Sequence, residues 1–201
     1  MNHRKVKSTY LAFFYDAIVG QLGPNNLAAV LEKASLPLGW AQPDTFQKMN
    51  SFEATRAYAG LQQAMRTYYG RGARGVLLRV GGNMWEPLLK KAPLLQKVQI
   101  AIIRRLPVDT RRKQILDMLA VFLSAEKGDV TVHSLDLDML LIDHASPGTL
   151  DITEDRPVCF VTQGLIREAL YWATGYEYDI EETSCRALGE EACEFKITTG
   201  S

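Results

Sequence analysis

Histidine, cysteine and long apolar runs are all scarce in this chain. The only histidines among 201 residues are His3, His133 and His144. His3 is in the N-terminal tail, His133 in an alternating segment and His144 just before a Pro-Gly pair. None has a partner at a spacing that suits proton transfer, so acid-base chemistry by histidine is not expected. The phosphate-binding loop, the dinucleotide glycine fingerprint, the nucleophile elbow and the metalloprotease helix are also missing. GVLLRVGG (Gly75–Gly82) has glycines but no lysine and no strand–loop–helix grammar. No catalytic residue is assigned, and no flavin or nicotinamide site is recognisable. The apolar stretches fall short of the ~18–20 residues that span a bilayer. The opening MNHRKVKSTYLAFFYDAIVG is interrupted by Tyr15 and Asp16, so it does not read as a secretory leader. Three cysteines, an odd number and no leader, argue for a reducing compartment, and a cytoplasmic location is expected.

What is present is ordinary globular composition, 47% hydrophobic and 23% charged, in a chain of a length that suits one domain, 1–201. The net charge of zero conceals two blocks. Residues 90–113 hold eight Lys or Arg and one acid, Asp109, whereas 126–194 hold sixteen acids and four bases. Such a dipole points to complementarity within the protein or its dimer, or to a basic face for an anionic partner. No direct contact with nucleic acid is expected. KVQIAIIRRLP could lie on a membrane surface, but packing or a dimer interface is the favoured use of its apolar face.

The first 126 residues read as helix. STYLAFFYDAIVGQLG opens on a Ser or Thr cap and ends at Gly20 and Gly23. NNLAAVLEKASLPLGW is capped by Asn25 or Asn26 and stopped by Pro37 and Gly39. SFEATRAYAGLQQAMRTYYG starts at Ser51 without a capping box, and Phe52, Ala59, Leu61, Met65 and Tyr69 share a face. ARGVLLRVGGNMWEPLLKK is expected to break at Gly81–Gly82 and restart near Pro87. LLQKVQIAIIRRL precedes an amphipathic helix that turns Ile115, Leu116, Leu119, Phe122 and Leu123 inward, with Gly128 as its stop.

The period then changes to two. DVTVHSLDLDMLLID alternates through Val130, Val132, Leu135, Leu137 and Met139, as a half-buried strand or hairpin does. After a loop, HASPGTLDITEDRP, a helix starts around Asp155–Pro157. It places Val158, Val161, Leu165, Ile166, Ala169, Trp172 and Ala173 inward and Gln163, Arg167, Glu168 and Thr174 outward, and Gly175 ends it. YEYDIEETSCRA and ACEFKITT form a final hairpin about Gly189. Helices first and antiparallel strands later predict an α+β fold: an N-terminal helical part over 1–126, then sheet, helix and β-hairpin over 127–201.

All three cysteines, Cys159, Cys185 and Cys193, fall in the last third. A hairpin centred on Gly189 sets Cys185 and Cys193 opposite each other on one face. Cys159 falls in the first helical turn, where the helix dipole favours thiolate. Glu182, three residues from Cys185, has the wrong parity for a regular strand and needs a bulge to turn inward. By residue chemistry the cysteines are metal ligands, inert buried thiols, or, for Cys185 and Cys193, a cross-strand disulfide.

Cys159, Gly164 and EETSCRALGEEACEF (Glu181–Phe195) resemble the 4-vinyl reductase domain family. The similarity covers roughly residues 157–197, with an echo in YYGRGARGVLLRVGG (Tyr68–Gly82). It implies a ligand-binding α+β fold, usually dimeric, seen in sensor domains of aromatic-responsive activators, in a bacteriochlorophyll-pathway protein and, more distantly, in small vesicle-tethering subunits. In the aromatic-sensing domains a cysteine, a glutamate and two cysteines at these separations bind structural zinc. Carried over, they fall on Cys159, Glu182, Cys185 and Cys193. The function so implied is a non-enzymatic sensor or carrier of an aromatic, lipid or tetrapyrrole ligand. The alternatives are an enzyme or accessory of tetrapyrrole biosynthesis and a scaffold. Tyr68, Trp85, Tyr171 and Trp172 are candidate pocket residues. For a homodimer, Leu94–Leu106 and the first helix are the candidate interface.

Overall fold

Burial of one broad apolar face organises the helices, and the computed structural model describes them within residues 5–199. The helices are α1 (Ser8–Leu22), α2 (Pro24–Lys33), α3 (Pro43–Gln47), α4 (Ser51–Tyr69), α5 (Ala73–Lys91), α6 (Leu94–Ile103) and α7 (Val108–Leu123). Strands β1 (Val130–Leu135) and β2 (Asp138–Asp143), helix α8 (Phe160–Thr174), and strands β3 (Asp179–Ser184) and β4 (Cys193–Thr198) follow. The strands form one antiparallel sheet in the order β1-β2-β4-β3. The architecture is α+β, as the change of period requires. His3 lies outside the described residues.

Several local expectations are corrected. α5 runs unbroken through Gly81, Gly82 and Pro87. Its glycines are contact points rather than breaks: a Cβ on Gly81 would collide with the Val161 carbonyl, and one on Gly164 with the Leu78 carbonyl. α5 and α8 therefore cross backbone to backbone, which only glycine permits. Pro87 removes one donor from the ladder without ending the helix. α4 does carry a capping box, one residue upstream of Ser51. Asn50 Oδ1 accepts from the Phe52 and Glu53 N–H groups, and Glu53 Oε2 accepts from Asn50 N–H. α1 has Lys7 at its N-cap with no side-chain bond, in place of the expected Ser or Thr cap. α2 is preceded by Gly23 and starts at Pro24, and it ends at Lys33, ahead of Pro37.

Burial corrects others. Phe52 is exposed on α4, outside the core face expected for it. Leu135 and Leu137 are exposed at the β1–β2 turn, where Asp136 takes a positive φ of 43°. α8 starts at Phe160, with Cys159 as N-cap, rather than at Asp155–Pro157. Gln163 and Thr174 are buried, not outward. The Gln163 amide donates to the Ile180 carbonyl, and Thr174 Oγ1 donates to Leu170 O (2.8 Å) and accepts from Tyr176 N–H (3.1 Å). Both polar groups are satisfied, which is why the interior tolerates them. Of the face predicted for α7, Ile115, Leu116, Leu119 and Leu123 are buried and Phe122 partly so.

The two proposed interface elements differ. The apolar face of α1 (Leu11, Phe14, Tyr15 and Ile18) is consumed by the core. α6 turns Ile103 inward and leaves Leu94 (80%), Leu95 (75%), Val98 (52%) and Ile102 (49%) exposed. The basic block is partly engaged within the chain: Arg111 and Arg112 donate to the carbonyls of Ala173 and Thr199, and Arg104 lies over the Trp172 ring at 5.6 Å.

The glycine crossing makes a sharp prediction. Gly81→Ala or Gly164→Ala should lower the unfolding free energy by about 3 kcal/mol or more, because a rigid backbone carbonyl blocks the new methyl. Gly20→Ala, in open space on α1, should instead raise it by up to about 1 kcal/mol. Urea denaturation midpoints of the three variants check both signs.

Candidate metal centre

β3 sends alternate residues inward, Ile180 and then Glu182. Left regular, the strand would next turn in Ser184 and leave Cys185 outward. Instead the register slips: Glu182 pairs with Phe195 and Ser184 with Glu194, leaving Thr183 as the extra residue. This bulge is the one that Glu182 required, and it lets Glu182 and Cys185 both reach the interior. A 3₁₀ turn at Arg186–Leu188 and Gly189, at φ 94°, return the chain to Cys193. Cys159 arrives from the N-cap of α8.

The four side chains converge. One donor atom from each of Cys159, Glu182, Cys185 and Cys193 lies within 4.8 Å of the other three, and all four residues are buried. Cys159 Sγ is 3.5 Å from Cys193 Sγ and 3.9 Å from Cys185 Sγ. All three thiols are free, and these gaps far exceed a disulfide bond of about 2.05 Å. They match the edge of a tetrahedron of sulfurs around zinc, about 3.8 Å for a Zn–S distance of about 2.3 Å.

Surrounding groups orient the donors. Glu182 Oε2 accepts from Cys159 N–H at 2.9 Å, while Oε1 is buried without a partner. Arg186 N–H points at Cys193 Sγ (3.4 Å), and Ser146 Oγ stands 3.9 Å from Cys159 Sγ. An orphaned carboxylate oxygen among three thiols is the donor set that a soft, four-coordinate cation fits.

Proton sharing within the cluster follows from its burial. Hydrogen bonds from Cys159, then Cys193, hold the Cys185 thiol far below its ordinary range. Cys159 is pushed well up by its bonds to Cys185 and Cys193 and by burial. Cys193 is pulled down by Cys159, but the Cys185 bond, burial and the Cys185 charge outweigh that and raise it. Burial, then the Cys185 thiolate, raises Glu182 to about 8. Before a cation enters, the four donors thus share a single negative charge at neutral pH.

Two clefts open on the surface, the second of them beside the centre. One, about 660 Å³, is lined by Leu36, Pro37, Trp40, Met49 and Ile152 together with the outer face of α4. The other, about 800 Å³, lies between the α4–α5 corner, residues 154–160 and β3, with Glu182 and Val158 in its wall. Both fall in the size range of small-molecule sites. Neither is lined by Tyr68, Trp85, Tyr171 or Trp172. Trp85 is buried edge-on to Trp172, with ring centroids 6.1 Å apart. Tyr68 meets Tyr69 edge to face under Lys33, and Tyr171 is exposed. The structure thus brings together the two tryptophans, in a core contact. Trp40, Met49 and Ile152 share a cleft that no local sequence pattern marks, because only the fold brings Ile152 to the other two. The arginines of RTYYGRGARG (Arg66–Gly75) form a basic run that is legible in the sequence.

Residues 145–199 match the V4R domain, the family that Cys159–Phe195 resembles. Solved structures share the fold across the chain. An H-NOX protein from S. oneidensis in the Fe(II)NO ligation state is 15% identical, at a TM-score of 0.54, over 98% of this chain and 100% of that one. An Fe(II) unliganded H-NOX protein mutant from K. algicida is 13% identical, at a TM-score of 0.57, over 98% and 97%. The phenol-responsive sensory domain of the transcription activator PoxR, with phenol, is 16% identical, at a TM-score of 0.51, over 72% and 74%. At these identities the likeness is one of fold. No curated protein matches the sequence.

The linkage within the metal-free cluster has a testable sign. Of these four groups the unfolded chain ionises only Glu182 near neutral pH, whereas the folded cluster carries its charge on Cys185 and keeps Glu182 protonated up to about pH 8. Between pH 5 and 7.5 the raised carboxyl lowers stability as pH rises, and the depressed thiol raises it by the same slope. The cluster's net contribution should therefore be flat over this window. In Glu182→Gln only the Cys185 term survives, so metal-free stability should climb with pH relative to wild type, by up to about 1.4 kcal/mol per pH unit. Paired urea titrations at several pH values read the difference.

Proposed function

We propose that the chain is a non-enzymatic small-molecule-binding domain, a sensor or carrier for a hydrophobic or aromatic ligand, with zinc held structurally by Cys159, Glu182, Cys185 and Cys193. The buried three-thiol, one-carboxylate cluster carries this reading, because its sulfur spacing suits a closed tetrahedral site that leaves no position for substrate. Such an ion would tie α8 to the β3–β4 hairpin. The whole chain, 1–201, is read as one such domain. The fold shared with a phenol-responsive sensory domain and with H-NOX proteins supports the sensor reading. The Trp40 cleft offers an apolar wall for such a ligand.

Haem does not carry over from the H-NOX likeness. The described histidines, His133 and His144, are exposed on or beside the β1–β2 hairpin, within 3.0 and 3.3 Å of Thr131 Oγ1. Neither lines the two clefts, so histidine is not placed to hold the iron of a haem seated there.

The chain is further proposed to pair with a second copy through the exposed Leu94, Leu95, Val98 and Ile102 face of α6, since α1 has no apolar face left to offer. Light scattering at micromolar concentration should give twice the chain mass, and Val98→Asp should return it to one.

Elemental analysis of protein purified without chelator should find about one zinc per chain. Cys193→Ser should lose most of it and lower the melting temperature by about 10 °C or more, as loss of several kcal/mol implies. Glu182→Gln should lose less. Since the four donors share one charge beforehand, metal entry releases up to three protons, and apparent zinc affinity should rise steeply from pH 6.5 to 7.5. Zinc below a tenth of an equivalent, with melting unchanged by chelation, would leave the thiols merely packed.

A further inference from the structure

The cleft beside the cluster has an unusual charge at one end. The α4–α5 corner supplies Arg66, Arg71 and Arg74, and Arg156 joins them from the facing loop. Arg66 is the informative member. Its side chain is only 11% exposed, and its Nε donates to Glu154 Oε1 at 3.3 Å. Nη2 lies 3.3 Å from the same Glu154 oxygen as an ion pair without hydrogen-bond geometry, and Nη1 has no partner at all. A guanidinium offers five donors, and burying most of them unused is unfavourable unless an acceptor arrives.

Arg71 and Arg74 add a second, independent anomaly. They sit at the start of α5, whose first turn holds no acid and whose N-cap, Gly72, supplies no side-chain bond. The positive end of a 19-residue helix therefore lies beside two further cations, with no carboxylate of its first turn to offset them. That arrangement is repulsive by itself and becomes favourable when an anion occupies the corner.

The remaining charges leave the corner positive. Glu154 is taken by Arg66, and Glu182 by Cys159 N–H and the cluster. Asp179 and Glu181 belong to the opposite wall, on β3, and both are exposed. Between the walls lie Ala73, Pro157, Val158, Phe160 and Ile180, which give the cleft an apolar floor. We propose that this cleft binds a small molecule with an apolar body and an anionic head, carboxylate or phosphate, the head seated at Arg66, Arg71, Arg74 and the α5 N-terminus. This rests on the binding-domain reading above and names the ligand class for it.

The test uses matched pairs on the zinc-loaded full chain by isothermal titration calorimetry: benzoate with benzyl alcohol, octanoate with octanol, and phenyl phosphate with phenol. At least one acid should bind about tenfold or more tightly than its neutral partner, the scale of charge-assisted bonds to arginine. Comparison of the carboxylates with phenyl phosphate separates the two head groups. The double variant R71Q/R74Q, changed at two exposed positions, should erase the preference while leaving zinc content and any neutral binding unchanged. Equal affinity within every pair, or a preference that survives R71Q/R74Q, would overturn the anionic assignment and leave the binding domain standing. Binding by none of the six compounds would overturn both.

Discussion

The close crossing of α5 and α8, Gly81 against Val161 and Gly164 against Leu78, governs where everything else in the C-terminal half can sit. Each glycine lies against a backbone carbonyl of the other helix, so the two axes approach more closely than side chains of any size would allow. This fixes the depth of α8 in the helical layer, and with it the position of Cys159 at the N-cap. β3 is then tied to the same helix by the Gln163 amide on the Ile180 carbonyl. The bulge after Glu182 completes the geometry from the other side.

The cluster that results is costly as bare protein. Four acidic donors are buried together, and one carboxylate oxygen has no partner. Bonds to Cys185 together with burial keep Cys159 and Cys193 protonated, burial does so for Glu182, and the charge rests on Cys185, where Cys159 and then Cys193 stabilise it. A divalent cation would resolve this by exchanging protons for a metal, with three thiolates and a carboxylate leaving a net charge of −2. Arg186, buried immediately after Cys185, and Arg66, which burial pulls below its ordinary range while Glu154 and then the cluster pull it back up, would partly offset that charge. The same Arg66 reaches the adjoining cleft. An ion in the cluster and a ligand in the cleft would thus share one electrostatic environment, and occupancy of either should be felt by the other.

The H-NOX and PoxR likenesses show how one fold hosts different sites. Haem in one and phenol in another are the chemistry of particular side chains, and the fold does not dictate either. In this chain the described histidines lie on or beside the edge hairpin, and the chemically distinctive groups are thiols and arginines. The ligand class therefore has to be argued from its own residues.

Residue order alone determined the element types, the α+β class and the three cysteines as a unit, because periodicity, turn glycines and donor chemistry are local properties. It also required a bulge at Glu182, since parity in a strand is arithmetic. Whether Gly81 and Gly82 break a helix or seat a neighbour was decided only by the crossing of α5 and α8, because glycine's missing side chain serves both ends equally well. Tertiary packing likewise decided that Gln163 and Thr174 turn inward, that Trp85 and Trp172 serve the core, and that Arg66 is buried with unused donors. Each of these depends on which distant backbone or side chain comes to lie opposite, and that long-range information is carried by no short window of sequence.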